Sequence, residues 1–172
     1  VTGGTGLYFR ALELGLAPKE AANRAWSVLT GAWAGYRDAL ASRPPDDRAT
    51  ALTREKWLLV LMRELGFGRV PTTPAGGLHA DGRSFPVSHQ SGAVPIHLLG
   101  RGVGLDHKSP GVAGAADRAP HAMVQELLNR SDEHLWAILA NSTTLRLLRD
   151  SSNLVGQAYV EFDLAAMFDN EV

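Results

Sequence analysis

The run Leu135-Trp136-Ala137-Ile138-Leu139-Ala140 constrains this chain more than any other stretch of it. Six apolar residues without a polar break read as a short strand buried on both faces. Such a strand lies inside a sheet, so the segments around it must supply its neighbours and its cover. Asn141-Ser142 can turn the chain back, and Leu145-Arg146-Leu147-Leu148-Arg149 offers the next strand. Ala158-Tyr159-Val160-Glu161-Phe162 alternates and reads as a further one.

Upstream, residues 78–87 and 94–99 are strand candidates, with His89-Gln90-Ser91-Gly92 as the turn between them. Residues 119–130 read as a helix, with Pro120 at its start and Met123, Val124, Leu127 and Leu128 on its apolar side. Residues 67–77 and 100–119 are broken by glycine and proline, and are expected to be a loop and a long surface excursion. At the other end, Ala22, Trp26, Leu29, Trp33, Tyr36 and Leu40 recur at spacings of three and four. They predict a helix over 18–42 with Pro18 in its first turn and Glu20 near its N-terminus. Ser42-Arg43-Pro44-Pro45-Asp46-Asp47 breaks it. A second helix is expected to be capped by Thr53, to carry Trp57, Val60, Leu61, Glu64 and Leu65, and to close at Gly66. The expectation is a mixed α/β (α+β) fold with a four- or five-stranded sheet, in which residues 1–50 form a helical segment and 51–172 the sheet domain.

Composition narrows the chemistry. The 172 residues include no cysteine, which removes disulfides, thiolate catalysis and sulfur-ligated zinc. A net charge of −1 is not that of a strongly basic polyanion-binding module, although a local basic face is compatible with it. No apolar run is long enough to span a membrane. The chain begins at Val1 without a signal peptide and stops in mid-pattern after Met167-Phe168, and so reads as a segment of a longer protein.

No motif completes a reactive site. The six histidines (79, 89, 97, 107, 121 and 134) show no metal-ligand spacing, although His89 and His97 are placed to meet across a hairpin. Gly3-Gly4-Thr5-Gly6 and Gly100-Arg101-Gly102-Val103-Gly104 lack the strand–loop–helix context of a phosphate cradle and read as loop glycines. Lys19, Lys56 and Lys108 are the only lysines, and none is a Walker lysine. Glu64, Asp81 and Asp106 are the carboxylates that convergence would have to assemble into a Mg²⁺ site.

One resemblance emerges from the second half. Residues 120–149, with Gln125 on the helix, Leu135 to Ser142, and Leu145-Arg146-Leu147-Leu148-Arg149, resemble the helix, "gvlTNG" strand and "wrlyr" strand of restriction-type nuclease domains. Tyr159-Val160-Glu161-Phe162-Asp163-Leu164 with Met167-Phe168 is similar to the "eFDLeamF" exit that leads into a methylase domain. Over residues 52–170 the chain thus resembles the N-terminal region of fused restriction–modification proteins of the type IIG class, and of the adenine-N6 methylase component of related phage-defence systems. The resemblance implies a restriction-endonuclease-like, PD-(D/E)xK fold in a bacterial, cytoplasmic protein. There a strand pair presents two acids and a lysine that hold Mg²⁺ and activate water.

Aligned on that pattern, Pro86-Val87 stands where Pro-Asp is expected and His97-Leu98-Leu99 where Glu-x-Lys is expected. Gln125 matches the helix glutamine and Glu64 the helical acid, with Asp81 out of register. The resemblance therefore implies a nuclease scaffold that has lost cleavage, with Glu64, Asp81, His97 and Gln125 as vestiges. It places S-adenosylmethionine in a downstream methylase domain and no cofactor in this segment; Mg²⁺ would be needed only if the nuclease were active. Arg83, Arg101, Lys108, Arg146 and Arg149 are the expected phosphate contacts, with DNA, the downstream methylase domain and defence-system subunits as partners. Two alternatives stand beside this: an active Mg²⁺-dependent endonuclease using Glu64, Asp81 and His97, and a protein-interaction module docking through an exposed Trp26/Trp33/Tyr36 helix face.

Overall fold

The computed structural model describes residues 14–151 and 158–169. The chain divides into two compact units, Val1–Val70 and Pro71–Val172. The first unit takes in the second helix, which packs on the first.

Helix α1 (Pro18–Ala41) starts as its sequence predicts: Pro18 sits in the first turn and the Glu20 carboxylate accepts the Ala17 N–H. Its inner row is Ala21, Ala25, Leu29, Trp33, Tyr36 and Leu40, with Trp26 outside it and 48% exposed. The expected stripe is therefore displaced in its first two turns, where alanines take the inner positions in place of Ala22 and Trp26. Trp33 stacks at a tilt on Trp57, with ring centroids 4.9 Å apart, and the Tyr36 hydroxyl hydrogen-bonds that of Thr53 at 2.9 Å. Thr53 is thus a buried helix-interior residue and not a cap. Helix α2 (residues 50–67) begins earlier, after Ala49 in the left-handed region with its N–H held by the Asp47 carboxylate. It alternates α segments (Thr50–Thr53, Leu59–Met62) with π segments (Arg54–Leu58, Arg63–Phe67) and unwinds at Gly66, whose φ is 94°.

The second unit holds two sheets. Strands β1 (Leu78–Ala80) and β2 (Arg83–Phe85) form a separate hairpin, turning on Asp81 and Gly82 with φ of 50° and 69°. Two consecutive positive φ angles are what a two-residue type I′ turn requires, and Asp-Gly is well suited to it. The single strand expected over 78–87 is therefore folded back on itself. β3 (His89–Ser91) occupies the expected turn and pairs antiparallel with β4 (Val94–Leu98). β5 (Trp136–Ala140), β6 (Thr144–Arg149) and β7 (Tyr159–Asp163) complete a five-stranded mixed sheet in chain order, with β4 and β5 its parallel pair. Helix α3 (Pro120–Arg130) makes the crossover between them, and the short helix α4 (Leu164–Asp169) follows β7.

Residues 99–119 are not a surface excursion. Leu99, Val103, Leu105 and Ala115 are buried with Phe85, Met123, Val124, Leu127, Leu128, Leu139 and Leu148 in the core of this unit. At about 1.5–3 kcal/mol for each large aliphatic side chain buried, these insertions hold the loop against the sheet.

Candidate functional site

The strand register sets out one row of side chains. His97 pairs with Leu139, Leu139 with Arg146, and Arg146 with Glu161, so the four stand side by side on one face of β4 to β7. The 99–119 loop is pinned along this row. The His97 ring accepts the Ser88 N–H at Nδ1 (3.1 Å), so Nε2 carries the proton that it donates to the Gly114 carbonyl (2.9 Å). At the end of β5 the Asn141 amide donates to the Val103 carbonyl (2.8 Å), while its oxygen accepts the Thr143 and Thr144 N–H groups.

Arg146 makes the densest contact. Its guanidinium binds the Asp106 carboxylate through both terminal nitrogens, at 2.7 and 2.8 Å, and donates from Nε to Glu161 at 2.6 Å. Nη1 also donates to Nδ1 of His121 at 3.0 Å. A guanidinium has no acceptor, so this bond fixes His121 as the neutral Nε2–H tautomer. The His121 ring stands edge-on to Tyr159, and Arg146 lies over the same ring, 5.0 Å from its centroid. The Arg146 fork holds the Asp106 carboxyl below its usual range, and the two acids hold the guanidinium charged. Burial, with the Arg146 charge beside it, lowers the His121 pKa. The cluster joins β6, β7, the loop and the first turn of α3 at the carboxyl end of the parallel strands. Its guanidinium is committed to protein partners.

The expected catalytic residues do not converge. Glu64 is buried on α2 in the first unit and accepts from its neighbour Arg63. Asp81 is an exposed turn residue bound by Arg130 at 2.7 Å. His97 is a loop clamp with both ring nitrogens committed, and it does not meet His89: the register pairs His89 with Ile96, which puts the two histidines on opposite faces. Gln125 donates to the Arg149 carbonyl and to Asn129. Among the described residues no three of His, Cys, Asp and Glu form a group able to hold a metal ion.

The expected phosphate contacts are also redistributed. Arg146 is 7% exposed and held by two acids, which removes it from that set. Arg83 pairs with Glu126 at 3.0 Å, and Arg149 lies over the Trp136 ring. Lys108 is exposed and Arg101 half-buried, both on the loop. Sequence reasoning found Arg146 and Asp106 but assigned them elsewhere, and it missed His121. Trp33 and Tyr36 are buried within the first unit, so the docking face expected there is covered by the protein itself at those two residues. Gly3-Gly4-Thr5-Gly6 lies outside the described residues.

Comparisons of the chain with protein-family models, with curated proteins and with solved structures return no match. No helix among the described residues is long and apolar enough to cross a membrane.

Proposed function

We propose that this chain is a non-cleaving, DNA-facing domain of a bacterial, cytoplasmic restriction–modification or phage-defence protein, built on a restriction-endonuclease-like sheet. The observation that supports it best is the content of the β3–β4 pair. Where the nuclease pattern calls for Pro-Asp and Glu-x-Lys, the chain carries Pro86-Val87 just before β3 and His97-Leu98-Leu99 at the end of β4, and the His97 ring holds Ser88 and Gly114. A one-metal or two-metal hydrolysis needs carboxylates to hold the ion beside the attacked phosphate, and this pair offers none. DNA would be gripped through its phosphates, which positions a duplex without reading its sequence. In the parent protein, S-adenosylmethionine and adenine-N6 transfer belong to a downstream methylase domain.

The test is incubation of supercoiled plasmid with the chain in Mg²⁺ or Mn²⁺, paired with a salt titration of duplex binding. The expected result is no nicking, with binding that weakens steeply as salt rises. Nicking that disappears in Asp81→Ala would establish the endonuclease instead. A flat salt response would remove the DNA-facing role.

A further inference from the structure

Three arginines far apart in sequence converge on one carboxylate outside the Arg146 cluster. Arg83 of β2, Arg118 just before α3 and Arg130 at the end of α3 all donate to Glu126, and Arg130 also binds Asp81 in the β1–β2 turn. We infer that Arg83 and Arg118 form a phosphate-gripping surface for duplex DNA, with Glu126 as the post that aims them and Arg130, held by Glu126 and Asp81, as its brace. This inference rests on the DNA-facing reading and locates its surface.

Charge and depth support it together. Among its own five side chains the network holds three guanidiniums and two carboxylates, one positive charge in excess. Glu126 is the deepest member, its side chain 26% exposed, while those of Arg83 and Arg118 are 55% and 38% exposed. The Glu126 side chain is thus more covered than the Arg83 and Arg118 side chains it binds, while Asp81 at the rim is the most exposed member at 65%. Arg83 and Arg118 each donate to Glu126 through one terminal nitrogen, which leaves the rest of each planar fork for a second acceptor. Arg118 is further steadied over the Phe85 ring, 5.5 Å from its centroid. A fork already held in place loses less conformational freedom when a phosphate arrives.

The sign of the charge effect makes the test decisive. The chain is titrated with a 20–30-base-pair duplex of arbitrary sequence at several salt concentrations, with thermal melting as the check on folding. Asp81→Asn in its solvent-exposed turn is expected to tighten binding about threefold at low salt, and Glu126→Gln, which slackens the hold on the forks, to weaken it about threefold. Arg83→Gln and Arg118→Gln are expected to weaken it by a similar factor, each lowering the salt slope by about 1. If the wild type binds in a salt-dependent way and all four variants match it, this surface is wrong while the DNA-facing reading stands. If the wild type shows no salt-dependent binding, both fall.

Discussion

Arg146 sits among leucines on an inner strand, and that placement is tolerable only if its charge and its donors are met. Asp106, Glu161 and His121 meet them from three different elements. Because Asp106 and Glu161 are themselves well exposed, solvent screening discounts the ion pairs, and Arg146→Leu should cost about 2 kcal/mol and not the 3–5 of a fully buried pair. Arg146→Lys keeps the charge but loses the two-pronged contact, so it should recover less than half of that in chemical denaturation. His121 adds a pH dependence with a definite sign. Its folded pKa lies below its ordinary value of 6.5, so between the two the unfolded chain binds more protons. Stability is therefore fully present above that ordinary value and falls as pH drops toward the folded one. Urea midpoints measured from pH 7.5 to 5 should show this slope in the wild type and a shallower one in His121→Gln. Arg146 was read from Leu145-Arg146-Leu147-Leu148 as a phosphate contact, although a charge inside an apolar strand calls for partners. Their identity was not legible, because Asp106 lies 40 positions away in sequence.

Elements were legible where one period ran without interruption. Helices α1 and α3 begin at their prolines as expected, and β5 falls on its apolar run. The β1–β2 hairpin was missed although Asp81-Gly82 spells its turn, because the surrounding apolar residues were read as one continuous strand. The 99–119 loop was misplaced for a different reason. Val103, Leu105 and Ala115 are isolated by glycines and show no period, so nothing local marks them as core. Their burial is decided by anchors on two strands, His97 and Arg146, and by Asn141 just after a third. Gly114 tests this directly: its φ is 80°, and a Cβ there would collide with the His97 ring that clamps it. Gly114→Ala should destabilise the protein by about 2 kcal/mol or more, read as a lowered denaturation midpoint with hydrogen exchange accelerated first in residues 99–119.

For the molecule as a whole, the near-neutral charge means that any grip on a polyanion must be local. The same scale sets an expectation for metals. A Mg²⁺ or Mn²⁺ site with a dissociation constant of about 10 μM would add about 2.7 kcal/mol at 1 mM ion. The described residues offer no such ligand set, so the melting temperature should move by no more than about 1 °C on adding either ion or a chelator. A larger rise would establish a metal site in the folded chain. The three anchors of the 99–119 loop also carry a kinetic consequence. His97 and Arg146 lie in β4 and β6 and Asn141 directly follows β5, so the loop finds its full set of partners only after those strands have come into register. Its contacts are then late events on the folding route, largely missing at the rate-limiting barrier. Weakening them should leave the refolding arm of a chevron almost unmoved and speed the unfolding arm, which makes this loop the determinant of how long the folded chain lasts.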